Sequence, residues 1–233
     1  KILEKNNISE VVLTGVNIGD FGRRSSTENF FNLIKLINTD SSISRYRISS
    51  IEPNLLSSKI IQLVKDSKNF LPHFHIPMQS GSDKILSLMK RKYNTSMYEN
   101  KINNIKDVIN DVCIGADVIV GFPGETENNF LETYNFIRKL DINYLHVFSY
   151  SNRDNAHASS SKDQIPNNIR LKRSRILQKL SNEMRIKFYK NNLGKIKKVL
   201  FESIYEDSYV VGFTDNYIRV YCKGDIKMIN KIY

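Results

Sequence analysis

The chain has 233 residues, of which 40% are hydrophobic and 10% aromatic, enough for one large domain or a domain with an appendage. No apolar run approaches the roughly 20 residues that a membrane helix needs, and the N-terminus lacks the apolar centre of a signal peptide, which argues against a membrane or secreted protein. Two cysteines, Cys113 and Cys222, are too few for a four-thiolate metal site. Without an export signal, we expect reduced thiols and a cytoplasmic protein.

The positive charge is concentrated in one part of the chain. The net charge is +11, and residues 162–201 hold 12 lysines and arginines against two acids, Asp163 and Glu183, a local net of +10 (12 minus 2). Such a localised excess favours binding to a polyanion such as nucleic acid. The alternative is a solvated basic helix in a chain whose lysine content reflects codon usage.

Strand-then-helix units are predicted along the first part of the chain. The predicted strands are 11–14, 45–51, 71–76, 112–122 and 142–150, and the predicted helices are 30–37, 60–64, 82–89, 97–109 and 130–140. Apolar strands that alternate with amphipathic helices predict an α/β fold with a mainly parallel sheet covered by helices.

The loops after these strands are polar and rich in glycine. They are the segments 15–19, 49–53, 77–82, 121–125 and 149–151, which carry Gly, Ser, Asn, Gln or Glu. In parallel sheets such loops gather at the carboxyl ends of the strands, where ligand sites form. The pattern therefore predicts one site at this edge of the sheet.

The last part of the chain has a different periodicity. Residues 151–164 are predicted as a linker, and a helix is expected from Pro166 to about residue 192. The alternating segments 199–201, 209–211, 217–221 and 226–229 then predict a small all-β unit, such as a barrel. The predicted divisions are 1–151, 152–192 and 193–233.

A pair of histidines lies in the third predicted strand. His73 and His75 point to one face, a spacing that could bind a metal, but no third ligand is evident nearby, so we expect no metal site. The alternative is hydrogen bonding within the sheet. Gln79, Ser80 and Ser82 are expected to cap the next helix.

The segment Gly-Phe-Pro-Gly-Glu-Thr at residues 121–126 follows a buried strand and opens a helix. Glycine turns allow a ligand to approach the backbone, and a helix N-terminus attracts anions. The segment lacks the Lys-Ser/Thr ending of a phosphate-binding loop and the three glycines of a dinucleotide fingerprint. We expect a cap from Thr126 but no reciprocal capping box with Asn129.

Cations and aromatic residues are interleaved in the C-terminal unit. The candidate RNA-binding residues are Lys195, Lys197, Lys198, Asn216, Tyr217, Arg219 and Lys223. This composition suits single-stranded or looped RNA, through phosphate pairing and base stacking. The alternative is a unit whose tyrosines form its core and whose lysines only keep it soluble, although the neighbouring basic helix favours RNA.

Four motifs follow one another along the chain. They are Leu-Thr-Gly-Val-Asn-Ile-Gly-Asp-Phe-Gly at 13–22, His-Ile-Pro-Met-Gln-Ser-Gly-Ser at 75–82 with Met-Lys-Arg-Lys-Tyr at 89–93, Ala-Asp-Val-Ile-Val-Gly-Phe-Pro-Gly-Glu-Thr at 116–126, and Leu-His-Val-Phe-Ser-Tyr-Ser at 145–151. Together they resemble the radical S-adenosylmethionine methylthiotransferases that modify tRNA, and residues 212–220 resemble the RNA-binding TRAM domain of that family. The branch acting on N6-threonylcarbamoyladenosine at tRNA position 37 is the most similar. The isopentenyladenosine-modifying and ribosomal-protein-modifying branches are the near alternatives.

The resemblance implies a partial radical-SAM (β/α) barrel, a TRAM-like domain, and tRNA as the partner. A reduced [4Fe-4S] cluster would cleave S-adenosylmethionine to a radical that abstracts the hydrogen at C2 of the adenine, after which sulfur and a methyl group are delivered. By motif position, Gly15, Val16 and Asn17 would meet the methionine amino group, Ser49 and Glu52 the ribose, and Val120 and Gly121 the adenine, with Gln79 at the mouth of the pocket. The resemblance assigns no catalytic residue, reductant or sulfur donor.

The cysteines depart from the family pattern. The family has a Cys-x3-Cys-x2-Cys run upstream of the strand that starts here near Val11, and three further cysteines in an N-terminal domain, and neither set is in this chain. We therefore expect a C-terminal portion that is inactive alone. The alternatives are a non-catalytic RNA-binding module and a barrel enzyme of unrelated chemistry, for which Glu52 and Glu125 are the candidate acids.

Overall fold

The computed structural model describes residues 2–23, 27–152, 158, 161–206 and 208–233. Its larger sheet is parallel throughout and follows chain order. The strands are β1 (Glu10–Leu13), β2 (Arg45–Ile48), β3 (Phe70–His75), β4 (Cys113–Val120) and β5 (Tyr144–Ser149). This confirms the predicted α/β class.

Helices connect these strands and cover one face of the sheet. They are α1 (Ile2–Lys5), α2 (Phe30–Asp40), α3 (Ser58–Asp66), α4 (Asp83–Leu88), α5 (Thr95–Val108), α6 (Glu127–Lys139) and α7 (Asn167–Lys190), with a 3-10 turn at Ile18–Asp20. Within the described residues, none of the helices has the length and apolar character needed to cross a bilayer.

The two faces of the large sheet differ in chemistry, because successive side chains of a strand point in opposite directions. Phe74 and Val118 are fully buried in the core beneath the helices. The opposite face carries Arg47, His75 and Asp117, which line an open cavity. The polar face is therefore the concave side of a partial barrel.

Helix α7 closes the outer side of the edge strand β5. Leu177 and Leu180 are buried in the core shared with the sheet. The Ser181 hydroxyl accepts a hydrogen bond from the Leu145 amide (2.8 Å) and donates one to the Leu145 carbonyl (3.1 Å). These bonds satisfy backbone groups that an edge strand would otherwise leave unpaired.

The C-terminal unit is a second, antiparallel sheet. Its strands are β6 (Val199–Tyr205), β7 (Tyr209–Thr214) and β8 (Arg219–Lys223), paired in chain order. The predicted strand at 226–229 is wrong, since Ile226–Met228 forms a 3-10 turn. The Asp225 side chain caps this turn by accepting from the Lys227 amide at 2.8 Å, a local bond that competes with strand pairing.

Two capping predictions are also wrong. The Ser82 hydroxyl does not cap α4 and instead donates to Glu132 on α6. Thr126 and Asn129 do form a reciprocal capping box: Thr126 Oγ1 accepts from the Asn129 amide, and Asn129 Oδ1 accepts from the Thr126 amide. The shorter asparagine side chain thus replaces the Glu or Gln usual at this position.

Two buried arginines join the sheets. Arg45 Nε and Arg47 Nε each lie 2.7 Å from the Glu10 carboxylate on β1. Their terminal nitrogens donate to the Thr214 carbonyl at 2.9 and 2.7 Å, and Arg47 also donates to the Asp215 carbonyl at 2.9 Å. The end of β7 is therefore fixed against β2.

Asn216, one of the residues predicted to bind RNA, is a second link between the sheets. Its side chain is fully buried. Its amide donates to the Asp111 carbonyl (3.1 Å) and to Asn192 Oδ1 (3.0 Å), and its oxygen accepts from the Thr214 hydroxyl (2.8 Å). One amide group thus connects the turn before β4, the end of α7 and the end of β7.

We predict that Asn216→Ala lowers the free energy of unfolding by about 1–3 kcal/mol, because it leaves buried partners without hydrogen bonds. Urea unfolding measures this change. The control is Asn182→Ala on the exposed side of α7, which should change stability by no more than about 0.5 kcal/mol. Equal losses in the two variants would contradict the bridging role of Asn216.

Candidate functional site

The concave face of the large sheet encloses a cavity of about 450 Å³, which we call the lumen. All five parallel strands contribute to its wall, and Glu202, Phe213 and Tyr217 of the C-terminal unit close one end. The other end opens at the carboxyl ends of the strands. The lumen therefore lies between the predicted ligand edge and the predicted RNA-binding unit.

Three polar side chains meet on the lumen wall. His75 Nε2 lies 2.8 Å and His146 Nδ1 lies 3.4 Å from Asp117 Oδ1, and the imidazole rings stack with centroids 4.9 Å apart. Burial opposes ionisation of Asp117, but hydrogen bonds from His146 and His75 outweigh it and hold the pKa of this carboxyl well below its usual range. The carboxylate is therefore a fixed negative charge in the lumen.

Two members of this cluster, Asp117 and His146, were not predicted from the sequence. The expectation that no third ligand accompanies the histidines is wrong, because Asp117 and His146 both lie beside His75. Two imidazole nitrogens and one carboxylate oxygen could hold a divalent cation or share a proton. The parallel register pairs Asp117 directly with His146 and so brings these side chains together. Predicting this contact from the sequence requires knowledge of which strands are neighbours.

A column of aromatic rings closes the floor of the lumen. The ring of Tyr217 stacks on His73 at 4.1 Å and on Phe213 at 4.7 Å, and His73 Nε2 lies 3.0 Å from the Tyr144 hydroxyl. Burial, helped by the charge of Arg47, lowers the pKa of His73 well below its ordinary value, so this ring is neutral. Tyr217 is thus part of the lumen rather than of an outer RNA-binding surface.

The predicted ribose and amino-group residues meet at the open edge. Asn17 Nδ2 lies 3.4 Å from Glu52 Oε2, and the Glu52 amide donates to Asn17 Oδ1 at 3.4 Å. Arg91 donates to the other Glu52 oxygen at 2.9 Å. The first and second strand loops are therefore held together, with Arg91 as a further member of the cluster.

The other predicted cofactor residues differ in accessibility. Ser49 lines the lumen, whereas Val120 is completely buried in the core and the side chain of Val16 is fully exposed. A Cβ on Gly15 would meet its nearest neighbour only at 3.7 Å, so this glycine is not required by local crowding. Gln79 has a φ of 66° and continues the pairing with β4 through an isolated bridge.

Gly121 and Glu125 have a structural explanation. Gly121 has a φ of 72°, and a Cβ there would lie 2.4 Å from Arg170 Cγ of α7. Its amide donates to the buried carboxylate of Glu125, which lies 2.7 Å from Arg173 Nη1. This turn therefore anchors α7, and Glu125 is committed to an internal ion pair.

The predicted RNA-binding lysines fall into two groups. Lys195 and Lys197 lie 2.6 and 3.4 Å from the Asp111 carboxylate, and the hydrogen bond from Lys195 is the main reason that the pKa of Asp111 is lowered. Lys198 and Lys223 are exposed, as is Arg219. Part of the predicted charge is therefore already neutralised within the protein.

Comparison with known proteins identifies the fold family. Residues 1–137 match the Radical SAM superfamily. The chain belongs to this superfamily. Its fold is similar to that of coproporphyrinogen III oxidase HemN from Escherichia coli, with a TM-score of 0.57 and 14% identity over 76% of this chain and 40% of that one. It is also similar to the radical S-adenosylmethionine methyltransferase TsrM from Kitasatospora setae, with a TM-score of 0.51 and 14% identity over 63% of this chain and 28% of that one. These likenesses confirm the partial radical-SAM barrel.

Two curated relatives are more similar in sequence. Threonylcarbamoyladenosine tRNA methylthiotransferase MtaB of Bacillus subtilis (strain 168) is 38% identical over 228 residues, which cover 96% of this chain and 51% of that protein. The tRNA-2-methylthio-N(6)-dimethylallyladenosine synthase of Lachnoclostridium phytofermentans is 33% identical over 235 residues, covering 100% and 52%. The radical-SAM chain thus spans about half the length of the curated relatives it matches.

The open end of the lumen fits S-adenosylmethionine. Val12 and Phe148 line the lumen and are 51% and 52% exposed, so part of the cavity wall is apolar surface that a ligand can contact. Ser49 and Ser50 stand on the same wall and offer hydroxyl groups. An apolar surface beside a few polar groups is the usual composition of a cofactor pocket.

The cysteines of this chain do not fit an iron–sulfur cluster. Cys113 begins β4, at the end of the strand opposite the open edge, and packs in one apolar cluster, while Cys222 lies beside another. Burial raises the pKa of the Cys113 thiol to about 12. Because thiolates rather than thiols ligate iron, Cys113 is a packing residue.

We predict that the two thiols differ strongly in reactivity towards Ellman's reagent at pH 8. Cys222, which is partly exposed, should react in the native protein, whereas Cys113 should react only after unfolding, since burial keeps it protonated. The Cys222→Ser variant isolates Cys113. Fast labelling of that variant under native conditions would contradict the buried position of Cys113.

Proposed function

We propose that this chain supplies the S-adenosylmethionine pocket and the RNA-binding unit of a cytoplasmic tRNA methylthiotransferase that acts on N6-threonylcarbamoyladenosine at position 37. The observation that carries the proposal is the 38% identity, across 96% of the chain, to a relative that is named for this activity. The dimethylallyladenosine synthases, at 33% identity, define the second candidate substrate. The two substrates differ only in the group on N6 of the adenine.

The residues at the open edge would position the cofactor. Ser49 offers a hydroxyl to the ribose, and Asn17 and Glu52 offer an amide and a carboxylate on adjoining loops. When bound and reduced by an iron–sulfur cluster, S-adenosylmethionine supplies a carbon radical. This chain's part is to hold the nucleoside against the Val12–Phe148 wall and to exclude water from it. Cluster ligands would come from polypeptide outside these 233 residues.

The tRNA would bind along α7 and the small sheet. The exposed cations on α7 are Lys172, Arg175, Lys179, Arg185, Lys187 and Lys190. Lys198, Arg219 and Lys223 extend this charge onto the TRAM-like sheet, which adjoins the closed end of the lumen. Phosphate contacts of this kind give affinity without sequence specificity, and the lumen would then select the nucleotide.

A chimera tests the proposed activity. The part of Bacillus subtilis MtaB that this chain does not match is joined to the full chain, in the order found in that protein, and expressed in a strain lacking its own methylthiotransferases. Mass spectrometry of tRNA nucleosides should detect 2-methylthio-N6-threonylcarbamoyladenosine. The control Lys139→Gln should keep the activity, because Lys139 pairs with Glu99 on the outer helices.

Asn17→Ala in the same chimera should reduce the product at least tenfold, because it removes a polar group from the cofactor edge. A folded chimera that forms only the dimethylallyl product would favour the second candidate substrate. A folded chimera without any methylthiolated nucleoside would contradict the proposed function.

The basic surface makes a separate prediction. Replacing Lys190 and Lys198 with Ala should weaken tRNA binding and reduce the slope of log affinity against log salt by about 0.7–0.9 for each lost phosphate contact. Filter binding of the full chain across a salt titration measures the slope. Lys139→Ala is the matched control and should leave it unchanged. An unaltered slope in the double variant would contradict an RNA surface on this face.

A further inference from the structure

A second cavity of about 210 Å³ lies beside the lumen, between β5, α7 and the small sheet. Tyr144, His146, Phe213 and Tyr217 line both cavities, so the two adjoin through shared walls. We call the second cavity the arginine cleft, because Arg185 and Arg219 line it. Asn17, Ser49 and Glu52 of the open edge do not line it.

The cleft is positively charged. Arg185 belongs to α7 and Arg219 begins β8, and both side chains are exposed. No carboxylate lines the cleft, and among the described residues neither guanidinium forms an ion pair. Two guanidinium groups that line one small cavity without a carboxylate partner make it electropositive, so the arrangement favours an anionic ligand.

The other walls of the cleft are aromatic. Phe213 and Tyr217 form a stacked pair at 4.7 Å, and the Tyr189 hydroxyl lies 3.4 Å from the Arg219 backbone amide. The Arg219 guanidinium lies 5.1 Å from the centroid of the Tyr221 ring. Flat rings bind planar heterocycles by stacking, and a guanidinium group matches a carboxylate through two parallel hydrogen bonds. The ligand that fits is a planar base carrying a carboxylate.

We propose that Arg185 and Arg219 bind the carboxylate of the threonylcarbamoyl group and thereby select N6-threonylcarbamoyladenosine over N6-dimethylallyladenosine. The inference rests on the proposed function, since it assigns the residues that distinguish its two candidate substrates. The dimethylallyl group is uncharged and would leave both guanidinium groups without a partner. The adenine would lie along the wall that the two cavities share, with its N6 substituent in the cleft and its C2 edge towards the lumen.

Nucleoside binding to the full chain tests the inference without turnover. Equilibrium dialysis is performed with N6-threonylcarbamoyladenosine and N6-dimethylallyladenosine as the two probes. Arg185→Gln and Arg219→Gln should each raise the Kd of the first probe about tenfold, the size of one lost charge-assisted hydrogen bond, and change the Kd of the second less than twofold. Arg219→Lys should restore part of the affinity.

Lys139→Gln is the matched control, since it removes an exposed charge from α6, outside both the cleft and the basic surface. It should leave both Kd values unchanged. All these side chains are exposed, so the variants are expected to fold, and circular dichroism checks this. Equal affinity of the wild-type chain for both probes, or unchanged affinity in both arginine variants, would overturn the inference.

The chimera separates this inference from the proposed function. Methylthiolation of threonylcarbamoyladenosine that persists undiminished in the Arg185→Gln/Arg219→Gln double variant would overturn the selection by arginine while the proposed function stands. A chimera could instead bind N6-threonylcarbamoyladenosine in a way that depends on Arg185 and Arg219 but form no methylthiolated nucleoside. That result would support the role of the cleft and contradict the proposed function.

Discussion

The burial of Arg45 and Arg47 is the constraint on which the rest of the structure depends. A buried guanidinium is tolerated only when it is paired and hydrogen-bonded, because desolvation of an unpaired charge costs several kcal/mol. One carboxylate, Glu10, faces both side chains, and backbone carbonyls at the end of β7 accept from the other terminal nitrogens, whereas Arg45 Nη1 is buried without a hydrogen-bond partner. The parallel sheet therefore needs the small sheet to complete its own interior.

This dependence explains why two sites of different chemistry lie so close together. The small sheet brings Phe213 and Tyr217 against His73, which closes the lumen at one end and leaves the carboxyl ends of the strands open at the other. The same contact places Arg219 in the arginine cleft with Arg185 of α7. The lumen, the arginine cleft and the position of the basic helix thus follow from one packing arrangement.

The sequence predicted the parallel sheet and its helices well, because apolar strand runs and helical spacing are local signals. The joining of Asn17 to Glu52 also followed from the rule that strand-end loops meet. Asp117 and His146 were missed as partners of His75 because their contact depends on strand neighbours that no local pattern specifies. The internal hydrogen bonds of Asn216 were not predicted for a related reason: a polar residue in a basic segment gives no sign that its partners lie before β4 and at the end of α7.

Amide hydrogen exchange in the Arg47→Met variant tests the link between the sheets most directly. Loss of one member of a buried ion pair costs about 3–5 kcal/mol, so the amides of β6, β7 and β8 should exchange more than about 100-fold faster while those of β3 and β4 keep their protection. Unchanged exchange in β6, β7 and β8 would show that the small sheet is held by other contacts, and would contradict the account.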